Sequence, residues 1–583
     1  MHGAGQDPKK CPFMFPQATS PKESVSSSSV SAKKYIYLAA AVVVGALAWW
    51  LGWTGEDSWD IAEAHVAHIR GLMSNLGALL LRWSAEGWQH GVRLGWRGIL
   101  KVGVGALMGT VVACRLGFAI LRVLSRSAAG LQDGGAAAAT VTTLGLFHPY
   151  CSSGGGGERV LWMALRALGE IRAVQEGRIK LVVYTGDDGL SKSEILRQAE
   201  ERFQIALPTA VTSVLHFETI WTRGWLEGKR YPRLTMLCQS LASMLVGLEC
   251  LLRYPPDIFF DTTGAPFTYV VAKVLAGCTV AAYVHYPIIS ADMLARVVEQ
   301  RPAYNNDERI AQSITVSHIK LVYYHAMALL YQAMGWCVRC TMVNSSWTKG
   351  HIEHMWGKSA ANVHLVYPPC GNFTREHITE QARARKQHGS IRPRERLILS
   401  LGQFRPEKDH RLQIEAFAAL KARDPKFGDV RMLMLGSTRG RDDEALLSSL
   451  KQYAQAKGVD GSIGFFVNRP YAELQRWMSR ACVGVHTMWN EHFGISVVEM
   501  LYAGMVVVAH DSGGPKMDIL KDQKQNRAQT PSEYALAMAT ALEHNGGAHS
   551  EVQMQENQAS CLRFSDSAFR DQFCSLVESE LLP

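Results

Sequence analysis

The chain lacks most of the patterns that announce a function directly. Of its twelve cysteines only Cys337 and Cys340 form a C-x-x-C pair, so neither a disulfide framework nor a four-ligand zinc site is encoded. Such cysteines read as reduced, partly buried small hydrophobes, which fits a reducing compartment. No G-x-G-x-x-G fingerprint and no G-x-x-x-x-G-K-[ST] loop occurs, so the standard dinucleotide and Walker phosphate cradles are excluded. Basic residues outnumber acidic ones by only 61 to 52 and are scattered, which argues against a dedicated nucleic-acid binder. The small excess suits a membrane surface facing the cytosol.

What is present suits a folded protein: 583 residues, 47% apolar and 19% charged, too long for one core. Residues 1–34 are rich in Ser, Pro, Gly and Lys and read as a mobile tail without a fold. From Tyr35 to Trp53 runs "YIYLAAAVVVGALAWWLGW", uncharged and aromatic at its ends, the length and edges of a bilayer-crossing helix. A cleaved signal peptide would start nearer residue 1 and end in small residues, so an anchor is the better reading. A second apolar run, Ile99 to Leu124, is interrupted by Lys101, Arg115 and Arg122; it is either a second span or an interfacial helix. Between the runs lies a mixed charged and aromatic stretch, read as surface-lying helix or as helix packed on the globular part. If both runs span, Lys33, Lys34, Arg122 and Arg126 share the cytosolic side, and so does everything that follows.

After "GGAAAAT" short β-branched runs alternate with longer helical patterns, the signal of parallel sheets covered by helices. The expected strands are Val141–Phe147, Ile179–Tyr184, Ile258–Asp261, Thr279–His285 and Thr341–Asn344. A second set comprises Leu397–Gly402, Arg431–Gly436, Ile463–Val467, Val483–Thr487 and Val506–His510. The polar "TEQARARKQHGSIRPRER" between them is the expected boundary. The fold class is therefore α/β: two doubly wound Rossmann-like domains, 140–390 and 391–583, the second with a C-terminal helix, behind a membrane-anchoring helical region at 35–126. Their shared cleft would lie at the carboxyl ends of the strands.

Chemistry-bearing residues gather at those ends. The first strand runs into "HPYCSSGGGGERVLW", where Gly154, Gly155, Gly156 and Gly157 precede an amphipathic helix. Glycines let backbone amides approach a ligand, and a helix start favours an anion; the bland alternative is a flexible turn. In "LGQFRPEKDH", Arg405 and Lys408 follow a strand and could clamp a diphosphate, although two basic loop residues are more often simply solvated. "MWNEHFGISVVEMLYAG" holds Glu491 in a loop and Glu499 about a turn and a half into a helix starting near Gly494, with the amides of Phe493, Gly494 and Ile495 facing an incoming anion. Surface glutamates complementing the helix dipole would be the bland reading. "DSGGPKMDIL" brings another glycine-bearing loop to the same edge. The stretches "TMLCQSLASMLVGLECLL" from Thr235 and "LVYYHAMALLYQAMGWCV" from Leu321 are either core helices or a membrane-facing side of the first domain.

The order of these motifs resembles the retaining GT-B glycosyltransferases of family four. More narrowly, "LFHPYCSSGGGGERVLW", "YVHYPIIS", "MVNSSWT", "LSLGQFRPEKDH" and "NEHFGISVVEMLYAGMVVVAHDSGGPKMDIL" are similar to the eukaryotic GDP-mannose-dependent alpha-1,2-mannosyltransferases of dolichol-linked oligosaccharide assembly. The resemblance covers about residues 140–583. It implies GDP-mannose as donor, dolichol diphosphate-linked oligosaccharide as acceptor, and the cytosolic face of the endoplasmic reticulum membrane as location. Other glycosyltransferases of that pathway would be partners; nucleic acid would not. It implies Glu499 on the ribose hydroxyls and Glu491 on the mannose. Arg405 and Lys408 would hold the diphosphate beside the glycine loop, with His285 near the reacting bond and His148 on the acceptor or loop side. No D-x-D pair closes a strand, so no cofactor is expected and transfer is expected to be metal-independent, two cationic side chains replacing the ion's charge. Two alternatives stay open at this point: a lipid-directed GT-B enzyme using a different nucleotide sugar, and a catalytically silent binding subunit.

Overall fold

The computed structural model describes residues 96–133, 141–290, 292–293, 314–360, 362–376, 378–380, 394–543 and 548–582, all within one compact unit, Ala62–Pro583. The tail, the Tyr35–Trp53 run, the stretch that follows it and most of the expected domain boundary lie outside the described residues.

Two parallel sheets form the scaffold. The first contains β1 (Thr142–Phe147), β2 (Ile179–Thr185), β3 (Leu215–Thr219), β4 (Ile258–Asp261), β5 (Thr279–Val284), β6 (Cys340–Val343) and β7 (Val363–Leu365), in the spatial order β3-β2-β1-β4-β5-β6-β7. The second contains β8 (Glu395–Leu401), β9 (Arg431–Gly436), β10 (Ile463–Val467), β11 (Ala481–His486), β12 (Val506–His510) and β13 (Arg527–Ala528), in the order β10-β9-β8-β11-β12-β13. Both are doubly wound: strand order reverses between β1 and β4 and between β8 and β11, leaving a crevice at the carboxyl ends there.

All ten strands expected from sequence are present. The three that sequence did not predict, β3, β7 and β13, are sheet edges. Their residues are short or half-exposed, "LHFET", "VHL" and "RA", whereas central parallel strands, covered on both faces, read as continuous apolar runs. In β8 the period-two alternation is explicit. Ile398 joins the core with Ile414, Phe417 and Tyr534; Leu397, Leu399 and Leu401 join the opposite core with Val497 and Met500.

The C-terminal helix, expected to complete the second domain, does not. In the helix Asp566–Leu576, Phe569 and Phe573 are each 1% exposed, inside the core of the first domain with Trp162, Phe260 and Tyr283. Phe573 meets Phe260 of β4 edge-on at 5.9 Å. The chain thus crosses between domains twice, and apolar burial against the first sheet fixes where it ends.

The helix Trp96–Asp133 contains the second apolar run, with Gly103–Ser125 long and apolar enough to cross a membrane. Two of its arginines, Arg115 and Arg122, are met by backbone carbonyls of the first domain. Arg115 donates to the carbonyls of Val274 and Lys273, each at 3.0 Å, and Arg122 to that of Pro256 at 2.9 Å.

Candidate active site

The two switch points face one another across a cleft of about 1540 Å³. From the first domain its walls include Gly154 to Gly157, Arg159, His285 and Asn344; from the second they include Gln403, Lys408, Glu491 to Ser496 and Glu499. Loops that sequence placed hundreds of residues apart therefore meet, because each leaves a strand beside a reversal of strand order.

At the second switch point Lys408 Nζ lies 2.5 Å from Glu491 Oε2, and His486 Nε2 lies 3.1 Å from the same oxygen. Burial by itself would raise the Glu491 carboxyl, but the charge of Lys408, with His486 close beside it, outweighs it and holds the group well below the ordinary range. Lys408 is thus committed to the carboxylate as well as to whatever enters the cleft. Arg405, the other expected phosphate clamp, is not among the cleft-lining side chains; it sits 3.8 Å from Glu407, and burial, then the positive Arg439, lower its pKa. Gln403 and Lys408 are the residues of that loop that reach the cleft.

The loop bearing Glu491 is held from behind. Gly514 N–H donates to the Glu491 carbonyl at 2.8 Å, and Asn490 N–H donates to Ser512 Oγ at 2.7 Å. Gly513 has φ +61°, and a Cβ there would lie 2.2 Å from the Glu491 carbonyl oxygen; one on Gly514 would lie 2.5 Å from Phe493 Cα. The two glycines of "DSGGP" therefore serve close backbone packing behind the site. Gly494, at φ +106°, turns the chain into the helix Ile495–Tyr502. Glu499 lies within that helix, on the cleft wall, and Tyr471 donates to its Oε1 at 3.3 Å. Burial raises the Glu499 carboxyl to about 7, against opposing contributions from Arg159 and Tyr471.

In the first domain the glycine loop is partly self-satisfied. Gly155 N–H donates to Glu158 Oε2 at 2.7 Å, an acid placed on the start of the helix Gly156–Leu168. That carboxylate occupies part of the positive helix end that the sequence assigned to a ligand. Gly156 and Gly157 instead permit close approach: a Cβ on Gly156 would come within 2.9 Å of the Ile495 side chain across the cleft, and one on Gly157 would lie 3.5 Å from His285 Nε2.

His285 follows β5, and its Nε2–H donates to the Thr262 carbonyl at 2.9 Å, while Asn344 holds the His285 carbonyl at 2.8 Å. Burial lowers its pKa, so it presents a neutral ring. His148 is 2% exposed and does not line the cleft. The Thr262 hydroxyl donates to the Phe147 carbonyl at 3.0 Å, so its oxygen accepts from His148 Nδ1–H at 2.8 Å. Burial takes His148 down to about 3. It is a neutral strut tying β1 to β4 beneath the glycine loop.

Side chains that sequence reasoning did not single out complete the closure. Asn490 donates to Asp292 at 2.6 Å, His492 stacks on Tyr286 at 5.0 Å, and Ser346 N–H donates to Asp518 at 3.0 Å. Arg159 reaches both oxygens of Asp566 at 3.2 Å and the Pro369 carbonyl at 2.9 Å. His486 precedes a motif that was read, but only the fold turns it onto Glu491. Among the described residues no three His, Cys, Asp or Glu side chains gather as a metal-ligating group.

Comparison with known proteins gives the same picture over about three quarters of the chain. Residues 141–356 match the family model described as ALG11 mannosyltransferase N-terminus, and residues 381–559 match glycosyl transferases group 1. A GDP-Man:Man(3)GlcNAc(2)-PP-Dol alpha-1,2-mannosyltransferase from Mus musculus is 41% identical over 448 residues, covering 76% of this chain and 87% of that protein. Its Homo sapiens counterpart is 40% identical over 442 residues, covering 75% and 86%. Among solved structures, sucrose-phosphate synthase from Thermosynechococcus elongatus superposes with a TM-score of 0.51 at 15% identity, covering 75% of this chain and 98% of that one. That likeness concerns the two-domain GT-B fold alone.

Proposed function

The chain belongs to the GDP-Man:Man(3)GlcNAc(2)-PP-Dol alpha-1,2-mannosyltransferase family, and from that membership we propose how its cleft works. It transfers α-1,2-linked mannose from GDP-mannose to dolichol diphosphate-linked trimannosyl chitobiose, adding the fourth and fifth mannoses at the cytosolic face of the endoplasmic reticulum membrane. The observation that carries the reading is the pair of carboxylates at the second switch point in opposite electrostatic settings. Glu491 is held ionised by Lys408 and His486, and Glu499 stands in a less polar wall.

In this reading Glu499 accepts hydrogen bonds from the ribose hydroxyls and Glu491 orients the mannose. The amides at Gly494 and Ile495, with Lys408, receive the diphosphate as the bond to the sugar breaks. The acceptor hydroxyl attacks C1 from the face that GDP leaves, so configuration is retained, and the departing phosphate takes the hydroxyl proton. A neutral His285, fixed by Thr262, lines the sugar side without adding charge. Rate enhancement then rests on positioning and on charge stabilisation at the diphosphate. We propose that the transfer needs no metal, since Lys408 and the helix start supply positive charge where the leaving group forms.

Purified full chain given GDP-mannose and the lipid-linked trimannosyl acceptor should lengthen the glycan by two mannoses, with undiminished rate in chelator. Failure to extend an acceptor that a known relative extends would overturn the reading. A requirement for added divalent ion would overturn its metal-free part alone.

A further inference from the structure

One acid of the loop "DSGGPKMDIL" is buried away from the cleft. Asp518 is 2% exposed and does not line the cleft walls. Each of its carboxylate oxygens accepts a hydrogen bond from a distant segment. Oδ2 accepts from the Ser346 N–H at 3.0 Å, and Oδ1 accepts from the Tyr367 hydroxyl at 2.9 Å. Ser346 opens the helix Ser346–Trp356 of the first domain, and Tyr367 follows β7, where the chain first leaves that domain. The Asp518 carbonyl in turn accepts from Arg563 Nη2 at 2.5 Å, on the segment by which the chain returns. One buried residue of the second domain is thus bonded to a helix start in the first and to both crossings between them.

The contact with Ser346 is not needed to cap the helix. Ser345 already does that, its hydroxyl accepting from the Thr348 N–H at 3.0 Å. The remaining free N–H groups of a helix start are ordinarily met by water or by side chains close in sequence. Here one of them is met by an acid 172 positions further along, at the helix end where negative charge is favoured. Both ends of this link lead to the sugar side of the cleft. Just before Ser346, Asn344 accepts from the Thr348 hydroxyl at 2.7 Å and donates its amide to the His285 carbonyl at 2.8 Å. Just before Asp518, Gly514 N–H donates to the Glu491 carbonyl at 2.8 Å, and neither Gly513 nor Gly514 has room for a Cβ against that loop. Asp518 is therefore a bonded bridge between the segment that holds His285 and the segment that holds Glu491.

We propose that Asp518 is a positioning residue for transfer, setting the spacing between the His285 and Glu491 walls of the cleft and so the geometry in which the mannose meets the acceptor hydroxyl. The proposal rests on the reading above, in which these two residues flank the mannose. Nucleotide binding does not depend on the bridge, because Lys408, Gly494, Ile495 and Glu499 all belong to the second domain and line its own wall. A misplacement of about 1 Å between reacting groups costs up to about a hundredfold in rate, so the bridge acts on kcat.

The test deletes one donor from the full chain and leaves the fold in place. Ser346 is the first residue of its helix, and Ser345 before it is extended, at φ −158° and ψ 161°. Ser346→Pro therefore suits both positions while removing the N–H that Asp518 accepts. Ser346→Ala keeps that N–H and serves as the control. Relative to the control, Ser346→Pro should lower kcat for mannose transfer by about tenfold or more, with GDP binding by calorimetry unchanged. Asp518→Asn, which keeps an oxygen for Ser346 and offers a donor to the Tyr367 oxygen, should recover most of the rate that Asp518→Ala loses. Equal kcat in the proline and alanine variants, or loss of GDP binding in step with transfer, would overturn the assignment. Hydrogen exchange reads the bridge without activity: Ser346→Pro should speed exchange at Gly514 as well as at residues 344–348. A change confined to the helix Ser346–Trp356 would count against the bridge. Absence of transfer by the unsubstituted chain would instead remove the functional reading, and the exchange pattern would still decide the bridge.

Discussion

GDP-mannose binding should strengthen with pH because of one side chain. Burial lifts the Glu499 carboxyl to about 7, and accepting two ribose hydroxyls calls for the ionised form. For a group of that pKa the ionised fraction is about one-eleventh at pH 6 and about ten-elevenths at pH 8. If only the carboxylate form binds, the observed dissociation constant falls about tenfold across that interval, or about 1.4 kcal/mol. The sign follows from the raised pKa: affinity is lost as pH falls through 7, not gained. His148 and His492, taken to about 3 and about 4 chiefly by burial, stay neutral throughout. The assay is calorimetric titration with GDP-mannose, whose esterified phosphates do not change protonation in this range. The Glu499→Gln variant should bind weakly at every pH with a flat profile. A flat profile in the unsubstituted protein, or the same slope in the variant, would refute the assignment of ribose recognition to an ionising Glu499.

Other outcomes follow from the same geometry. Gly513→Ala should lower thermal stability by about 1–3 kcal/mol or more, and turnover with it, since the new Cβ meets the Glu491 carbonyl at a backbone angle that disfavours it; unchanged melting would count against the close packing. Lys408→Met strands a buried carboxylate, a change that typically costs about 3–5 kcal/mol, and adding Glu491→Gln should recover much of that stability in denaturant titrations but no activity. Glu491→Ala should abolish transfer while far-UV circular dichroism stays native; normal turnover would remove that residue from the mechanism. Phe573→Ala should cost about 3–5 kcal/mol and loosen hydrogen exchange in β4 of the first domain, although residue 573 lies beyond the second sheet; exchange confined to the second domain would contradict the crossing.

Which parts were legible in the sequence follows from what each part depends on. Central strands announce themselves because both faces are buried and their composition says so; β3, β7 and β13 are half-solvated edges whose residues carry no such mark. That Glu491, Glu499 and Lys408 line the cleft was readable because Lys408 and Glu491 lie in loops just past the ends of β8 and β11 and Glu499 in the helix that follows, and chain order alone puts strand ends on one side of a doubly wound sheet. Arg405 and His148 have the right chemistry beside such ends, yet one turns toward Glu407 and the other is a buried strut. Side-chain direction depends on neighbours that come from other strands.

By itself the sequence determined the class: alternating strand and helix patterns, motif order, and apolar runs too long for ordinary loops, all set by local periodicity and composition. Only the tertiary structure decided that Lys408 pairs with Glu491, that Glu158 occupies the Gly155 amide of the glycine loop, that "DSGGP" supports the site from behind, and that the last helix returns to the first core. Each of these is a contact between segments far apart in the chain, fixed by burial and hydrogen bonding once the two sheets have formed.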